Sequence, residues 1–199
     1  MEGRADDFRP EFNIRLIYFL VNLALVALAF GAVVTVVNLR DDHLSVEANY
    51  PRFNVDLPAG VLLKENPTVT LDVAHPTTKQ KVLASGTAAA LGVVLALGLW
   101  LLRGVAGSVR AGNPFSRANV TRLRGLGYLL VAGAPLEAAV DQWLRFELVN
   151  TLPRARYGDA MAPSFNLPVG VMLAGVGVFI LAEVVDYGFR LREDVEATV

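Results

Sequence analysis

Four apolar stretches, each long enough to cross a hydrocarbon layer, constrain this chain more than any single motif does. Residues 14–39 read IRLIYFLVNLALVALAFGAVVTVVNL, with Arg15 at the edge and only Asn22, Thr35 and Asn38 markedly polar inside. About 20 such residues suffice to span a bilayer as a helix. Residues 83–105, LASGTAAALGVVLALGLWLLRGV, and 167–187, LPVGVMLAGVGVFILAEVVDY, are equally clear. Residues 125–152 are mixed: LGYLLVAGAPL is apolar, whereas EAAVDQWLRFELVNTL carries Glu137, Asp141, Gln142, Arg145 and Glu147. We read that stretch as a third, amphipathic span, with a helix lying in one headgroup layer as the alternative. Ala27-Leu28-Ala29 has the small-residue pattern of a signal cleavage site. The apolar run continues past it to Leu39, well beyond a signal core, so the first stretch is expected to stay as an anchor.

Composition excludes several functional classes. The chain is 54% hydrophobic against 19% charged, which weighs against an ordinary water-soluble enzyme. A formal net charge of -1 gives no global field for nucleic acid, and none is expected as a direct partner. Without cysteine there is no disulfide framework, thiolate metal site or thiol nucleophile. With two histidines, His43 and His75, a three-His zinc site cannot be assembled from this chain alone. As a metal or haem pair they are a weak signal, and surface loop positions are the plainer reading. No phosphate loop, dinucleotide fingerprint or serine-nucleophile motif is present, so the expectation is a non-enzymatic protein without cofactor or metal.

The sequence therefore predicts an all-α membrane protein with four transmembrane helices. Residues 1–13 form an N-terminal segment and 40–82 a first loop between helices 1 and 2. Residues 106–124 form an elbow, 153–166 a third loop and 188–199 a tail. Orientation follows from arginine density, because short cytoplasmic loops collect Lys and Arg. Ten arginines fall in or at the edge of the N-terminal segment, elbow and tail, among them Arg103, Arg110, Arg117, Arg122 and Arg124. Seven basic residues fall on the other side over a longer stretch. Both termini are accordingly expected in the cytoplasm of a multi-pass plasma (inner) membrane protein.

The first loop is expected to fold as a small β-rich extracytoplasmic cap. Residues 44–50 and 68–73 alternate with period two, and Pro51, Pro58-Ala59-Gly60, Asn66-Pro67 and Pro76 punctuate them. In the elbow, Gly112-Asn113-Pro114 stops the second helix and Ser116 suits an N-cap for the next. Asn119-Val120-Thr121 matches a glycosylation acceptor, but a cytoplasmic elbow is out of reach of that chemistry.

Two stretches carry a family likeness. Residues 112–130, GNPFSRANVTRLRGLGYLL, and 181–199, LAEVVDYGFRLREDVEATV, resemble the signatures of an uncharacterised family of bacterial four-helix membrane proteins, a domain of unknown function. The specific spacing is Asn113-Pro114-Phe115-Ser116, Asn119-Val120 and Arg122-Leu123-Arg124. In the tail it is Leu181-Ala182-Glu183, Gly188, Leu191-Arg192-Glu193-Asp194 and Thr198-Val199. Asp186-Tyr187 departs from it, standing where the family tends to carry basic residues. Members are often encoded beside a Cro-like helix-turn-helix regulator, so the resemblance implies such a cytoplasmic partner.

Three constellations merit weighing. Glu137, Asp141 and Arg145 recur at helical spacing on one face. Ionisable groups at membrane depth are functional candidates, and the alternative is a structural ion pair near the interface with Trp143 as anchor. Glu183 is expected to pair with Arg122 or Arg124, clamping elbow to tail, with Phe115 inserted as an apolar plug beside Leu191. The alternative is simple exposure at the headgroups. Asn113, Pro114, Phe115, Ser116, Asn119, Arg122, Arg124, Glu183, Arg192, Glu193 and Asp194 then make a candidate cytoplasmic docking surface. Ala84, Ala88, Gly92 and Ala96 form a small-residue stripe suited to packing within the protein or, alternatively, to dimerisation. The function expected is a sensor or tether acting through a cytoplasmic partner. The rivals are a small transporter using the Glu137 face and an accessory subunit assembled with other membrane subunits.

Overall fold

A computed structural model describes residues 10–40, 43–49, 68–151 and 167–196 of the chain. It is an all-α membrane protein with a small two-stranded sheet between its first and second helices. In chain order the elements are α1 (Pro10–Asn38), β1 (His43–Asn49), β2 (Thr68–Ala74), α2 (Thr78–Arg110), α3 (Arg117–Tyr128), a π turn (Leu129–Gly133), α4 (Ala134–Asn150) and α5 (Val169–Glu196). The turns expected at Pro51, Pro58 to Gly60 and Asn66-Pro67, the loop 153–166, and Thr198-Val199 lie outside the described residues.

Four helical segments are long and apolar enough to cross a membrane: Asn13–Val37, Thr78–Arg110, Arg117–Asn150 and Val169–Val195. Their surfaces are those of a protein dissolved in lipid. Phe19, Val26 and Phe30 on α1 and Leu173 and Ile180 on α5 are all exposed, an apolar surface that water would not tolerate. Three polar side chains inside the spans turn back on their own helix, as suits hydrocarbon. Asn22 Nδ2 donates to the Tyr18 carbonyl at 2.6 Å, and the Ser85 and Thr87 hydroxyls donate to the carbonyls of Lys81 and Ala84.

The third span begins earlier than the apolar stretch suggests. Ser116 is the N-cap of α3, its side chain accepting from Asn119 N–H. The helix then runs through the π turn into α4, where Ala134 N–H donates to the Leu129 carbonyl five residues back. Pro135 explains the wide turn: proline has no N–H to give to the carbonyl four residues earlier, and its ring would collide with it. One inserted residue relieves that clash without ending the helix.

The chain divides into two compact units. One comprises residues 1–31, 93–135 and 168–199; the other comprises residues 32–92 and 136–167. In the second, β1 pairs antiparallel with β2 in the register His43 opposite Ala74 through Asn49 opposite Thr68. Thr77-Thr78-Lys79-Gln80 closes a capping box at the start of α2. Gln80 N–H donates to Thr77 Oγ1, while Thr77 N–H donates to Gln80 Oε1 at 2.8 Å. Gln80 is buried and its amide also reaches the Thr151 carbonyl, tying α2 to the end of α4. Gly86 lies under the Leu144 side chain.

In the first unit the tightest helix pairing is α3 and the π turn with α5. It is built on missing side chains. A Cβ on Gly127 would come within 2.9 Å of the Phe179 ring, and one on Gly175 within 2.7 Å of Val131. Ala182 is completely buried. Close backbone approach of this kind is how helices hold together in lipid. Phe179 also meets Tyr128 edge to face at 4.9 Å between ring centres. In the stripe on the second span a side chain added at Gly92 would meet open space, whereas at Gly98 α2 comes close to Leu126 and Leu129.

The seam generates a test with an internal control. A side chain at Gly175 must displace Val131 and the adjacent backbone, whereas Gly177, two residues on, has nothing within 4 Å. Gly175→Leu is expected to lower stability in detergent by about 1–3 kcal/mol, as overpacking does. Gly177→Leu is expected to be neutral or slightly stabilising through helix propensity. Thermal unfolding of both variants checks this, and equal midpoints would remove the seam from the account.

Candidate functional site

The elbow between α2 and α3 is a sequence of local solutions to unsatisfied backbone groups. Gly112 takes φ +77°, the left-handed conformation that ends helices and favours glycine. With it, Gly112 N–H bonds the Val109 carbonyl and Asn113 N–H bonds the Ser108 carbonyl, both at 3.0 Å. This double closure satisfies the last carbonyls of α2. Ser108 Oγ returns a bond to the Asn113 carbonyl at 2.8 Å. Pro114 prevents any continuation, as the sequence indicates.

Asn119 then fixes the elbow to α3. It is 1% exposed, and a buried amide must find partners. Its Nδ2 donates to the Pro114 carbonyl at 2.9 Å, and its Oδ1 accepts from Arg122 Nη1 at 3.1 Å. The same Arg122 nitrogen donates to the Gly104 carbonyl on α2 at 2.9 Å. Gly104 permits this contact, because a Cβ there would lie 2.6 Å from Arg122 Nε. Arg122 therefore braces the elbow and is not the partner of Glu183.

That partner is Arg124. Its Nη2 lies 2.9 Å from Glu183 Oε1 and 3.4 Å from Asp186 Oδ2, and Arg190 lies 2.9 Å from the same Asp186 oxygen. The expected clamp between α3 and α5 is present, Arg124 taking Glu183 through both Nε and Nη2, and it extends to a second acid. The Glu183 side chain is 66% exposed and that of Asp186 only 14%, so Asp186 is the better shielded of the two. Phe115 is a correction. Its ring lies across Gly188, where a Cβ would be 2.6 Å away, yet the residue stays 43% exposed and is not a buried plug beside Leu191. Arg117 stacks 6.0 Å over the Phe189 ring, and Arg192 reaches Asn113 Oδ1 at 3.5 Å. Glu193 and Asp194 are exposed in the last turns of α5.

The elbow and the end of α5 thus form one continuous polar face. A model of the family described as protein of unknown function DUF2975 matches residues 4–199. The chain belongs to that family. No curated protein and no solved structure matches it. The family assignment covers both motifs that make the polar face and carries no activity with it.

The other candidates are simpler than their spacing suggests. Arg145 Nε bonds Asp141 Oδ2 at 2.8 Å within α4, with Glu137 one turn earlier. This is a local pair on one helix with Arg145 half-exposed. His43 opens β1 and His75 follows β2 with φ 57°, both exposed. Among the described residues no group of three His, Cys, Asp or Glu side chains could hold a metal ion.

Burial ranks the acids of the clamp. Asp186→Asn is expected to cost about 1–3 kcal/mol, since it removes the negative charge that two arginines share at a shielded position. Glu183→Gln is expected to cost no more than about 1 kcal/mol and to lose that effect in high salt. Glu193→Gln is expected to be neutral. Thermal unfolding in detergent at low and high salt reads the order, and a Glu193 loss matching that of Asp186 would break it.

Proposed function

We propose that this protein is a non-enzymatic sensor or tether of the plasma (inner) membrane, with both termini cytoplasmic, that presents the elbow and the end of α5 to a cytoplasmic partner. The observation that carries the reading is the Arg124–Glu183–Asp186–Arg190 network. It welds two segments far apart in sequence into one polar face, while Arg117, Arg192 and Glu193 stay exposed on it. A membrane anchor that needed only to be held by lipid would have no use for such an ordered face. Its mixed charge and exposed arginines suit an acidic or amphipathic protein segment, and a helix-turn-helix regulator is the partner the family resemblance suggests. In this reading the protein performs no catalysis, and nucleic acid is not a direct ligand.

Two experiments test it. Single cysteines at Lys64 and Arg154 are expected to react with an impermeant reagent from outside the cell, and one at Arg192 only after the membrane is opened. The reverse pattern would place the polar face outside and end the proposal. Photocrosslinkers at positions 117 and 193 in native membranes are expected to capture a soluble cytoplasmic protein, with capture weakened by Arg192→Glu. Capture of integral membrane proteins alone would favour the assembly-subunit reading.

A further inference from the structure

A cleft of about 610 Å³ lies in the first unit, walled by α1, α2 and the start of α3. Its lining is of two chemical kinds. Trp100 and Leu101 contribute apolar surface, and Trp100 is 66% exposed, so that wall opens to the surroundings. Arg103, Arg122, Ser108 and Ser116 contribute cationic and hydroxyl groups. No Asp or Glu is among the described residues that line it.

Among the described residues the partners of the arginines here are neutral groups. Arg103 faces the Tyr18 hydroxyl on α1, and the Arg110 guanidinium lies 5.4 Å from the centre of the Tyr18 ring. Arg122 is fixed by the Gly104 carbonyl and the Asn119 amide. Such partners orient a guanidinium without cancelling its charge. The contrast with Arg124 and Arg190, both matched by acids, is internal to the same unit. Oriented guanidinium groups favour the planar, multidentate recognition of phosphate oxygens, and the volume is that of a site for a small ligand. An apolar wall and cationic, hydroxyl-bearing groups in one cleft match an acyl chain joined to a phosphodiester.

We propose that this cleft binds an anionic phospholipid, its phosphodiester between Arg103 and Arg122 and its chains along Trp100 and Leu101. The shared chemistry is a phosphoryl anion, and the apolar wall assigns it to lipid in preference to a soluble phosphate ester. The cleft shares Asn113, Ser116 and Arg122 with the candidate docking surface, but its ligand comes from the membrane and its test reads lipid retention, which needs no cytoplasmic partner.

Native mass spectrometry of the full-length protein in a neutral detergent tests it. Phosphatidylglycerol and phosphatidylcholine of the same chain length are offered at equal mole fraction, and bound adducts are counted. One arginine near a headgroup contributes about fivefold in binding, so the wild type is expected to retain phosphatidylglycerol at least that much better. Arg103→Gln is expected to lose about that factor, whereas Lys79→Gln, an exposed cation outside the cleft, keeps the preference. Tyr18→Phe, which leaves the ring under Arg110 but removes the hydroxyl facing Arg103, is expected to weaken the preference part-way. Trp100→Ala is expected to reduce retention of both lipids. Equal retention of the two lipids, or equal losses in Arg103→Gln and Lys79→Gln, would overturn the site. Full displacement of phosphatidylglycerol by millimolar glycerol phosphate or inorganic phosphate would overturn the lipid assignment.

Discussion

Hydrocarbon gives apolar helices no reason to associate, because a lipid tail is as good a neighbour as a leucine. What holds α3 to α5 must therefore come from close backbone packing and from polar groups, and the first makes the second possible. Gly127, Gly175 and Ala182 bring the two backbones together by having little or no side chain between them. Only at that separation can Arg124 on one helix reach Glu183 and Asp186 on the other. The same shortness at Gly188 gives the Phe115 ring a floor. Distance is set first, and the ion pairs follow from it.

Features decided by one window of sequence were legible. The four spans are a property of each stretch by itself, and the Ser116 cap and the break at Gly112-Asn113-Pro114 are written in the residues that perform them. The two strands could be read from their alternation, since period two leaves few alternatives. What was not legible depends on which face meets which neighbour. The stripe Ala84, Ala88, Gly92 and Ala96 is regular, yet its glycine faces open space. The working seam, at Gly127, Gly175, Ala182 and Gly188, is irregular and spread over two helices. The start of α2 belongs to a third kind. TTKQ spells a capping box, but it lies before the first residue of the apolar stretch at Leu83, so hydropathy places the helix end too late. Pro135 likewise signalled the π turn by its missing N–H, four residues after Val131.

The extension of the clamp from Glu183 to Asp186 has a geometric cause. Residues 183 and 186 are nearly one turn apart on α5, so both face Arg124, but Asp186 also has Arg190 one turn further along the same face. An acid flanked by two cations is shielded on both sides, whereas Glu183 has one cation and open surroundings. A basic residue at position 186, as the family resemblance leads one to expect, would put three cations together and leave Glu183 alone against them. The aspartate inverts that balance and lets α5 carry Arg190 beside Arg124 without repulsion deciding the helix position.

The arginines at this end of the molecule thus fall into two groups by what holds them. Arg124 and Arg190 are neutralised by carboxylates between α3 and α5. Arg103, Arg110 and Arg122 are oriented by a phenol, an aromatic face, a backbone carbonyl and an amide, which leave their charge intact. Arg122 belongs to two structures at once. It lines the cleft, and through Asn119 it is bonded to the amide that holds the Pro114 carbonyl and therefore the elbow. A buried polar network of this kind is all-or-none, because each member's loss leaves another unsatisfied. A change in the position of Arg122 is then transmitted through Asn119 to Pro114, and the polar face and the cleft share one mechanical element.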